Sequence, residues 1–251
     1  MRSDYIAIFD SGVGGLSVLR ELLQIMPNER YLYFGDSANA PYGSRPTEEV
    51  KALTLAAAEK LVARGIKALV VACNTATSAA IADLRERYPQ LIVVGIEPAL
   101  KLAADTFPGG NIGIMATQVT LREKKFQALS HRVAQNCRLF PIPAPGLVEL
   151  VESGKAASGE MDTFIGQLLG PYRGRLDALV LGCTHYPFAE QAIAKALPGT
   201  ALFQGGEGTA LQTRRRLEQA GLLYDGPGEL VLENSLESEQ ILAISHQLLE
   251  V

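Results

Sequence analysis

Residues 68–75 read Ala-Leu-Val-Val-Ala-Cys-Asn-Thr, and residues 178–185 read Ala-Leu-Val-Leu-Gly-Cys-Thr-His, 110 positions later. A second pair of similar segments, residues 6–11 and 112–117, recurs at an offset of 106. Each copy is an apolar run that ends in small polar residues. Because two separate pairs share nearly the same offset, the sequence predicts two similar lobes, the second of which begins near Pro98.

The predicted fold class is α/β. Short β-rich runs alternate with stretches of helical periodicity, such as residues 47–64 and 189–196. The runs are continuously apolar, which is typical of parallel strands buried on both faces. We therefore expect each lobe to contain a mainly parallel sheet flanked by helices, with the active site in the cleft between the lobes, where the strands' carboxyl ends lie. The predicted strands are Tyr5–Phe9, Tyr31–Phe34, Ala68–Ala72, Ile92–Ile96, Asn111–Met115, Arg138–Ile142, Ala178–Leu181 and Thr200–Phe203.

The repeat also predicts where the domains divide. The first domain is expected to comprise residues 1–97 and 207–251, and the second residues 98–206. The tail after Gly206 has no counterpart between the lobes, so we expect it to pack back on the first lobe.

Composition excludes several classes of partner. The chain has 251 residues, of which 47% are apolar, and a net charge of −4; this length supports a sizeable core. The densest basic run, residues 214–216, is interpreted as a solvated helix face, so no nucleic acid or membrane partner is expected. The apolar stretch at residues 6–9 is too short for a signal peptide, and the longest uncharged run, residues 68–82, is too polar to span a bilayer. We expect a cytoplasmic protein.

The cysteines argue against a disulfide framework and a structural zinc site. There are three, at positions 73, 137 and 183, with no Cys-x-x-Cys pair. The chain has only three histidines, so a His-rich metal site is not expected either. No lysine falls at a strand end, which argues against pyridoxal phosphate. The sequence thus predicts neither metal nor cofactor.

Cys73 and Cys183 each follow an apolar strand and precede small polar residues, which places both at the ligand-binding edge. A single such cysteine more often packs in the core, as we expect for Cys137, but a matched pair favours function. Two thiols facing each other across a cleft suit the inversion of a stereocentre, because one removes the α-proton and the other delivers a proton to the opposite face. A thiol that acts as a base should have its pKa lowered by its surroundings. Asp10 and His185, also at strand ends, are candidates to assist proton transfer.

The glycine-rich segment at residues 12–17 follows a strand and opens a helix. It reads Gly-x-Gly-Gly-x-Ser and lacks the third glycine of a dinucleotide-binding loop, and the chain has no phosphate-binding P-loop. Its backbone N–H groups at the helix N-terminus could instead hold a carboxylate.

Four motifs resemble the glutamate racemase family, in the same order along nearly the whole chain. They are residues 10–15 (Asp-Ser-Gly-Val-Gly-Gly), 41–43 (Pro-Tyr-Gly), 72–76 (Ala-Cys-Asn-Thr-Ala) and 182–187 (Gly-Cys-Thr-His-Tyr-Pro). The resemblance implies a cofactor-independent racemase, a cytoplasmic homodimer that supplies D-glutamate for peptidoglycan.

The resemblance also implies roles for individual residues. Cys73 would remove the α-proton from D-glutamate and Cys183 from L-glutamate, assisted by Asp10, His185 and Glu152. The implied substrate contacts are Asp10, Ser11, Tyr42, Gly43, Asn74, Thr75, Thr117, Thr184 and His185.

The sequence departs from the family pattern at three places. Val119 stands where a glycine is usual and Glu123 where a serine is usual, which bears on the hydrogen bonding of Thr120. Gln204 and Gly205 stand where the family often has Asp and Ser; this segment is predicted to join the lobes.

Three alternatives stay open at this point. A racemase of the same superfamily could act on aspartate or another small acid. A non-catalytic two-lobed protein could bind an acidic ligand. A thiol redox sensor is disfavoured, because the two cysteines would lie on opposite walls without a resolving partner nearby in sequence.

Overall fold

The computed structural model describes residues 4–122 and 124–250. The strands in chain order are β1 (Tyr5–Asp10), β2 (Arg30–Gly35), β3 (Ala68–Val71), β4 (Ile92–Gly95), β5 (Asn111–Ala116), β6 (Arg138–Pro143), β7 (Ala178–Leu181), β8 (Ala201–Gln204) and β9 (Glu229–Asn234). The helices are α1 (Leu16–Ile25), α2 (Thr47–Ala63), α3 (Asn74–Arg87), α4 (Leu100–Thr106), α5 (Gln118–Arg122), α6 (Lys124–Val133), α7 (Leu147–Glu152), α8 (Gly159–Leu169), α9 (Glu190–Ala196), α10 (Gly206–Ala220) and α11 (Glu239–Glu250). Short 3-10 turns lie at Ser37–Asn39, Tyr42–Ser44, Gly170–Tyr172 and Tyr186–Ala189.

The strands form two sheets in which every recorded pairing is parallel. The first has the order β4-β3-β1-β2-β9 and the second the order β6-β5-β7-β8. Helices flank both sheets, so the predicted α/β class with two parallel sheets is confirmed. Strands form at all eight predicted places, whereas β9 was not predicted. It is a half-exposed edge strand with a glutamate near each end, and it lacks the continuous apolar run by which the other strands were recognised.

The repeat in the sequence is also a repeat in strand register. Ile6 of β1 lies opposite Ala68 of β3, and Ile112 of β5 lies opposite Ala178 of β7. These are the first residues of the repeated segments. The carboxyl ends of both central strand pairs therefore present corresponding positions of the two repeats.

The core has three parts. One apolar cluster covers the outer face of the first sheet beneath α2 and α3, and another covers a face of the second sheet beneath α4 and α6. The third is shared: it joins residues of α1, α10 and α11 to residues of α7, α8 and α9. The two sheets are thus held together by a continuous apolar layer.

The C-terminal segment packs on the first sheet. β9 pairs with β2 along its whole length, and α10 and α11 contact α1. The chain crosses between the sheets twice, near Glu97 and near Gly205. These two segments are neighbours in space, since a Cβ atom on Gly205 would lie only 2.5 Å from the carbonyl oxygen of Glu97. The domain boundaries at 97/98 and 206/207 stay a prediction. Within the described residues, no helix is both long and apolar enough to cross a lipid bilayer.

A buried ion pair fixes the C-terminal segment at the amino end of the first sheet. Lys67 Nζ donates to Glu29 Oε2 at 2.6 Å and to the Leu222 carbonyl at 2.8 Å, and Glu29 Oε1 accepts the Tyr224 N–H at 2.9 Å. The two side chains are 3% and 2% exposed. The ammonium nitrogen and both carboxylate oxygens of the pair thus each have a hydrogen-bond partner, which stabilises a buried pair.

We expect Lys67→Met to lower the free energy of unfolding by about 3–5 kcal/mol, because it leaves the Glu29 carboxylate buried without its counter-ion. Urea unfolding at neutral pH measures this. The matched control is Glu160→Gln, which removes an exposed pair with Lys155 and should cost at most about 1 kcal/mol. Equal losses in the two variants would contradict the prediction.

Candidate active site

A cleft of about 320 Å³ lies where residues following β1, β3, β5 and β7 come together. Its walls come from both lobes. Asp10 and Glu152 are the two predicted site residues that do not line it; they lie behind the wall residues. The predicted residues in the wall are Ser11, Tyr42, Gly43, Cys73, Asn74, Thr75, Thr117, Cys183, Thr184 and His185.

Cys73 occupies the N-cap of α3. Its Sγ accepts the Ala76 N–H at 3.4 Å and lies 3.5 Å from the hydroxyl of Ser11. Burial, together with the nearby Asp10 carboxylate, raises the pKa of the Cys73 thiol to about 12, although its hydrogen bonds with Ser11 and Ala76 act in the opposite direction. The expectation of a lowered thiol pKa is therefore wrong for Cys73, which is held in its thiol form.

Cys183 has different surroundings. Its Sγ lies 3.7 Å from His185 Nδ1, and His185 Nε2 lies 2.6 Å from Glu152 Oε1. Burial opposes protonation of His185, but the hydrogen bonds and charges of Cys183 and Glu152 prevail and raise its pKa well above the usual value. A protonated His185 can donate one N–H to Glu152 and direct the other at the sulfur.

The Glu152 carboxylate is held in its charged form. Burial raises the pKa of Glu152, but the hydrogen bonds from His185, the Val13 N–H and Ser37 outweigh it, so the net shift is downward. Val13 donates to Oε1 at 2.8 Å. An N–H of the glycine-rich segment thus holds a carboxylate, but the donor is Val13, three residues before α1 begins, and the carboxylate belongs to the protein itself.

Asp10 joins the two lobes from a fully buried position. Its Oδ1 accepts the Gly12 N–H, and its Oδ2 accepts the hydroxyl proton of Thr184, both at 2.9 Å. Burial raises the pKa of Asp10, while the charge of His185 and these hydrogen bonds lower it. The net shift of the Asp10 pKa is upward. Asp10 does not line the cleft, but its negative charge raises the pKa of Cys73, which does.

The glycines of this segment allow the lobes to approach each other. A Cβ atom on Gly12 would lie 1.9 Å from Glu152 Oε1, and one on Gly14 would lie 2.3 Å from His185 Nδ1. Both contacts are impossible for any larger residue without displacing the partner. The glycine pattern thus reflects interlobe packing.

Two further wall residues are fixed by hydrogen bonds. The Tyr42 hydroxyl donates to Asp36 Oδ2 at 2.7 Å. The hydroxyls of Thr117 and Thr120 lie 3.0 Å apart, so Thr120 keeps its hydrogen bonding in this sequence. The departures at Val119 and Glu123 concern side chains outside the described part of the structure.

Sequence reasoning missed several residues of the site. Ser17 of α1 donates to the Thr184 carbonyl at 2.9 Å, a contact between distant segments that no local pattern reveals. Glu149 lies three residues before Glu152 on α7, and this helical spacing was the signal from which Glu149 could have been predicted as a site residue.

Among residues 4–122 and 124–250, no group of three His, Cys, Asp or Glu side chains is arranged to hold a metal ion. Cys137 is buried in the core beside α4. The wall also includes Ser44, Arg122, Glu149 and Tyr186.

We expect Glu152→Gln to lower the pKa of His185, because it removes the negative charge 2.6 Å from Nε2. A raised pKa in the folded state stabilises the fold at pH values below the unfolded histidine pKa of about 6.5, and this stabilisation is lost as the pH rises through the folded value. The difference in the free energy of unfolding between wild type and variant should therefore be widest at about pH 5–6. It should shrink as the pH rises from about 6.5 toward the folded-state pKa of His185.

NMR titration of the His185 ring nitrogens, combined with unfolding measurements across this pH range, tests the prediction. An unchanged His185 pKa in the variant would contradict the arrangement of charges described above.

The chain is similar to known proteins along its whole length. Residues 11–211 match the family described as Asp/Glu/Hydantoin racemase. A glutamate racemase of Clostridium kluyveri is 48% identical over 250 residues, which cover 98% of this chain and 97% of the relative.

Solved structures agree with this match. The glutamate racemase of Thermus thermophilus, solved in complex with Beta-chloro-D-alanine, has a TM-score of 0.84 and 37% identity, covering 98% of this chain and 93% of that one. The Escherichia coli glutamate racemase, solved in complex with L-glutamate, has a TM-score of 0.88 and 30% identity, covering 97% and 94%. The chain therefore belongs to the Asp/Glu/Hydantoin racemase family, among its glutamate racemases.

Proposed function

We propose that the protein interconverts L- and D-glutamate by a two-base mechanism with Cys73 and Cys183 as the bases. One observation carries this proposal: the two thiols come from corresponding strand ends of the two repeats and line one cleft. Burial keeps Cys73 as a thiol, whereas a protonated His185 lies beside Cys183.

In the L-to-D direction, Cys183 acts as the thiolate. It removes the α-proton, so the Cα–H bond breaks and its electron pair is delocalised into the adjacent carboxylate. Cys73 then delivers its thiol proton to the opposite face of Cα. The thiol and the thiolate exchange positions in each turnover, and the reverse reaction uses the same two groups in the opposite roles.

Deprotonation of Cys73 is needed for the reaction with D-glutamate. A pKa of about 12 opposes it, but the α-ammonium group of a bound amino acid would place a positive charge in the cleft and favour the thiolate. The Ala76 N–H already donates to the sulfur, and the Ser11 hydroxyl, which accepts the thiol proton, lies within hydrogen-bond distance; both contacts lower the pKa of Cys73. We therefore infer that substrate binding itself completes the activation of Cys73.

Substrate carboxylates would be held by small polar groups of the walls. Asn74 and Thr75 form the first turn of α3, where free N–H groups and the helix dipole favour a negative charge. Thr117 offers a hydroxyl on the opposite wall; Thr184 also lines that wall, but its hydroxyl proton is directed at Asp10. Asp10 and Glu152 would assist from behind, Asp10 through Thr184 and Glu152 through His185.

The resemblance to the family supports three further parts of the proposal. The product, D-glutamate, would be consumed in peptidoglycan synthesis. The protein would act in the cytoplasm, and it would do so as a homodimer. Cell fractionation and sedimentation of the purified protein would test the last two.

We expect L-glutamate incubated with the protein in deuterated water to yield D-glutamate carrying one deuterium at Cα. The solvent-derived deuteron on the thiol replaces the removed proton, and 1H NMR and chiral chromatography measure both changes. L-Aspartate serves as the comparison substrate and should react more slowly. A purely ligand-binding protein or a redox sensor would leave the Cα proton in place, and that result would end the proposal.

We expect Cys73→Ser and Cys183→Ser each to abolish net racemisation, since inversion needs both groups. Elimination needs only one base: removal of the α-proton from a glutamate analogue with chloride at Cβ expels chloride and forms a Cα=Cβ bond. Cys73→Ser should retain elimination from the L-analogue, and Cys183→Ser from the D-analogue, both measured as released chloride.

Cys137→Ser is the matched control and should leave both reactions unchanged. Equal loss of elimination from both enantiomers in each variant would show the assignment of the two bases to be wrong.

A further inference from the structure

The last residue of β9, Asn234, reaches toward the active site. It is 8% exposed. Its Nδ2 donates to the hydroxyl oxygen of Ser37 at 2.9 Å, and its Oδ1 accepts the Leu236 N–H at 3.0 Å. The second contact fixes which end of the amide faces Ser37, so the amide acts as a donor there.

The hydroxyl of Ser37 continues the chain of hydrogen bonds. Its oxygen lies 3.3 Å from Glu152 Oε2. A serine hydroxyl has a single proton, and because Asn234 already donates to the oxygen, that proton is directed at the carboxylate. Glu152 thus receives Ser37 on Oε2, and His185 and the Val13 N–H on Oε1.

The space for this arrangement is built into the first sheet. A Cβ atom on Gly35 would lie 2.8 Å from Asn234 Nδ2, so the glycine leaves room for the amide. Two bonds hold the neighbouring backbone: the Ser235 N–H donates to the Gly35 carbonyl, and the Ala38 N–H donates to the Ser235 hydroxyl.

No equivalent chain reaches Cys73 within the described residues. Among these residues the second sheet has four strands, against five in the first, and it lacks a counterpart of β9. The connection from Asn234 through Ser37, Glu152 and His185 leads to Cys183 alone, so it distinguishes the two walls of the cleft.

We propose that Ser37 and Asn234 are positioning residues for the Cys183 side of the reaction: they fix the Glu152 carboxylate, which orients His185 toward the Cys183 sulfur. This inference rests on the proposed two-base function. It assigns a role in catalysis to β9, the strand without a counterpart in the second sheet.

A comparison of racemisation rates in the L-to-D and D-to-L directions cannot reveal a role that is specific to the Cys183 side. The equilibrium constant between mirror images is one, so any variant must change kcat/KM equally in both directions. Elimination of chloride from the two enantiomers of the Cβ-chloro glutamate analogue is free of this constraint, because each enantiomer uses one thiol as the base.

The test compares Ser37→Ala and Asn234→Asp with wild type. Asn234→Asp keeps the size of the side chain and the oxygen that accepts the Leu236 N–H, but it replaces the donor with an acceptor, which draws the Ser37 proton away from Glu152. Loss of one hydrogen bond to a charged group should lower elimination from the L-analogue about tenfold. Elimination from the D-analogue should change less than twofold.

Ser235→Ala is the matched control, because it loosens the same turn without touching the chain to Glu152. It should keep the wild-type ratio of L to D elimination, and melting temperatures check that every variant folds. A ratio unchanged in both test variants, or equal losses for both enantiomers, would overturn the positioning role while wild-type racemisation still supports the proposed function. Failure of the wild-type enzyme to racemise glutamate would overturn both.

Discussion

The close approach of residues 12–14 to the second lobe is the constraint on which the site depends. Glycines at these positions let the carboxylate of Glu152 and the ring of His185 lie against the backbone of the first lobe. At that distance the Val13 N–H neutralises part of the charge on Glu152. A partly buried carboxylate and a buried imidazole can then both stay charged, because each compensates the other.

The two walls of the cleft share a backbone plan but differ in chemistry. The repeated strands have the same register, so Cys73 and Cys183 occupy corresponding places. Substitutions within the repeat make the difference: His185 stands where the first copy has Thr75, and Asp10 stands where the second copy has an alanine. One thiol is consequently held by a helix N-terminus and the other by an imidazole–carboxylate pair.

Local patterns in the sequence were sufficient to predict strands at eight places and to place Cys73, Cys183 and His185 at the cleft, whereas the other predicted wall residues came from the resemblance to the family. A continuous apolar run followed by small polar residues defines a strand and the edge where it ends, and both features lie within a few residues of each other. β9 escaped this reasoning because an edge strand needs no such run. The bond between Asn234 and Ser37 and that between Ser17 and Thr184 join segments far apart in sequence. The high pKa of Cys73 arises from burial by the whole fold, which no motif encodes.

The hydrogen bonds that cross between the lobes have a consequence for the integrity of the active site. Asp10 with Thr184, Val13 with Glu152 and Ser17 with Thr184 all join the two lobes behind the cleft, while the chain crosses between the lobes at a pair of adjacent segments, near Glu97 and Gly205. Any motion that separates the two lobes must break these bonds. The same bonds position Thr184 and Glu152, and Glu152 in turn holds His185 beside Cys183. The arrangement of side chains around Cys183 therefore exists only while the lobes stay together.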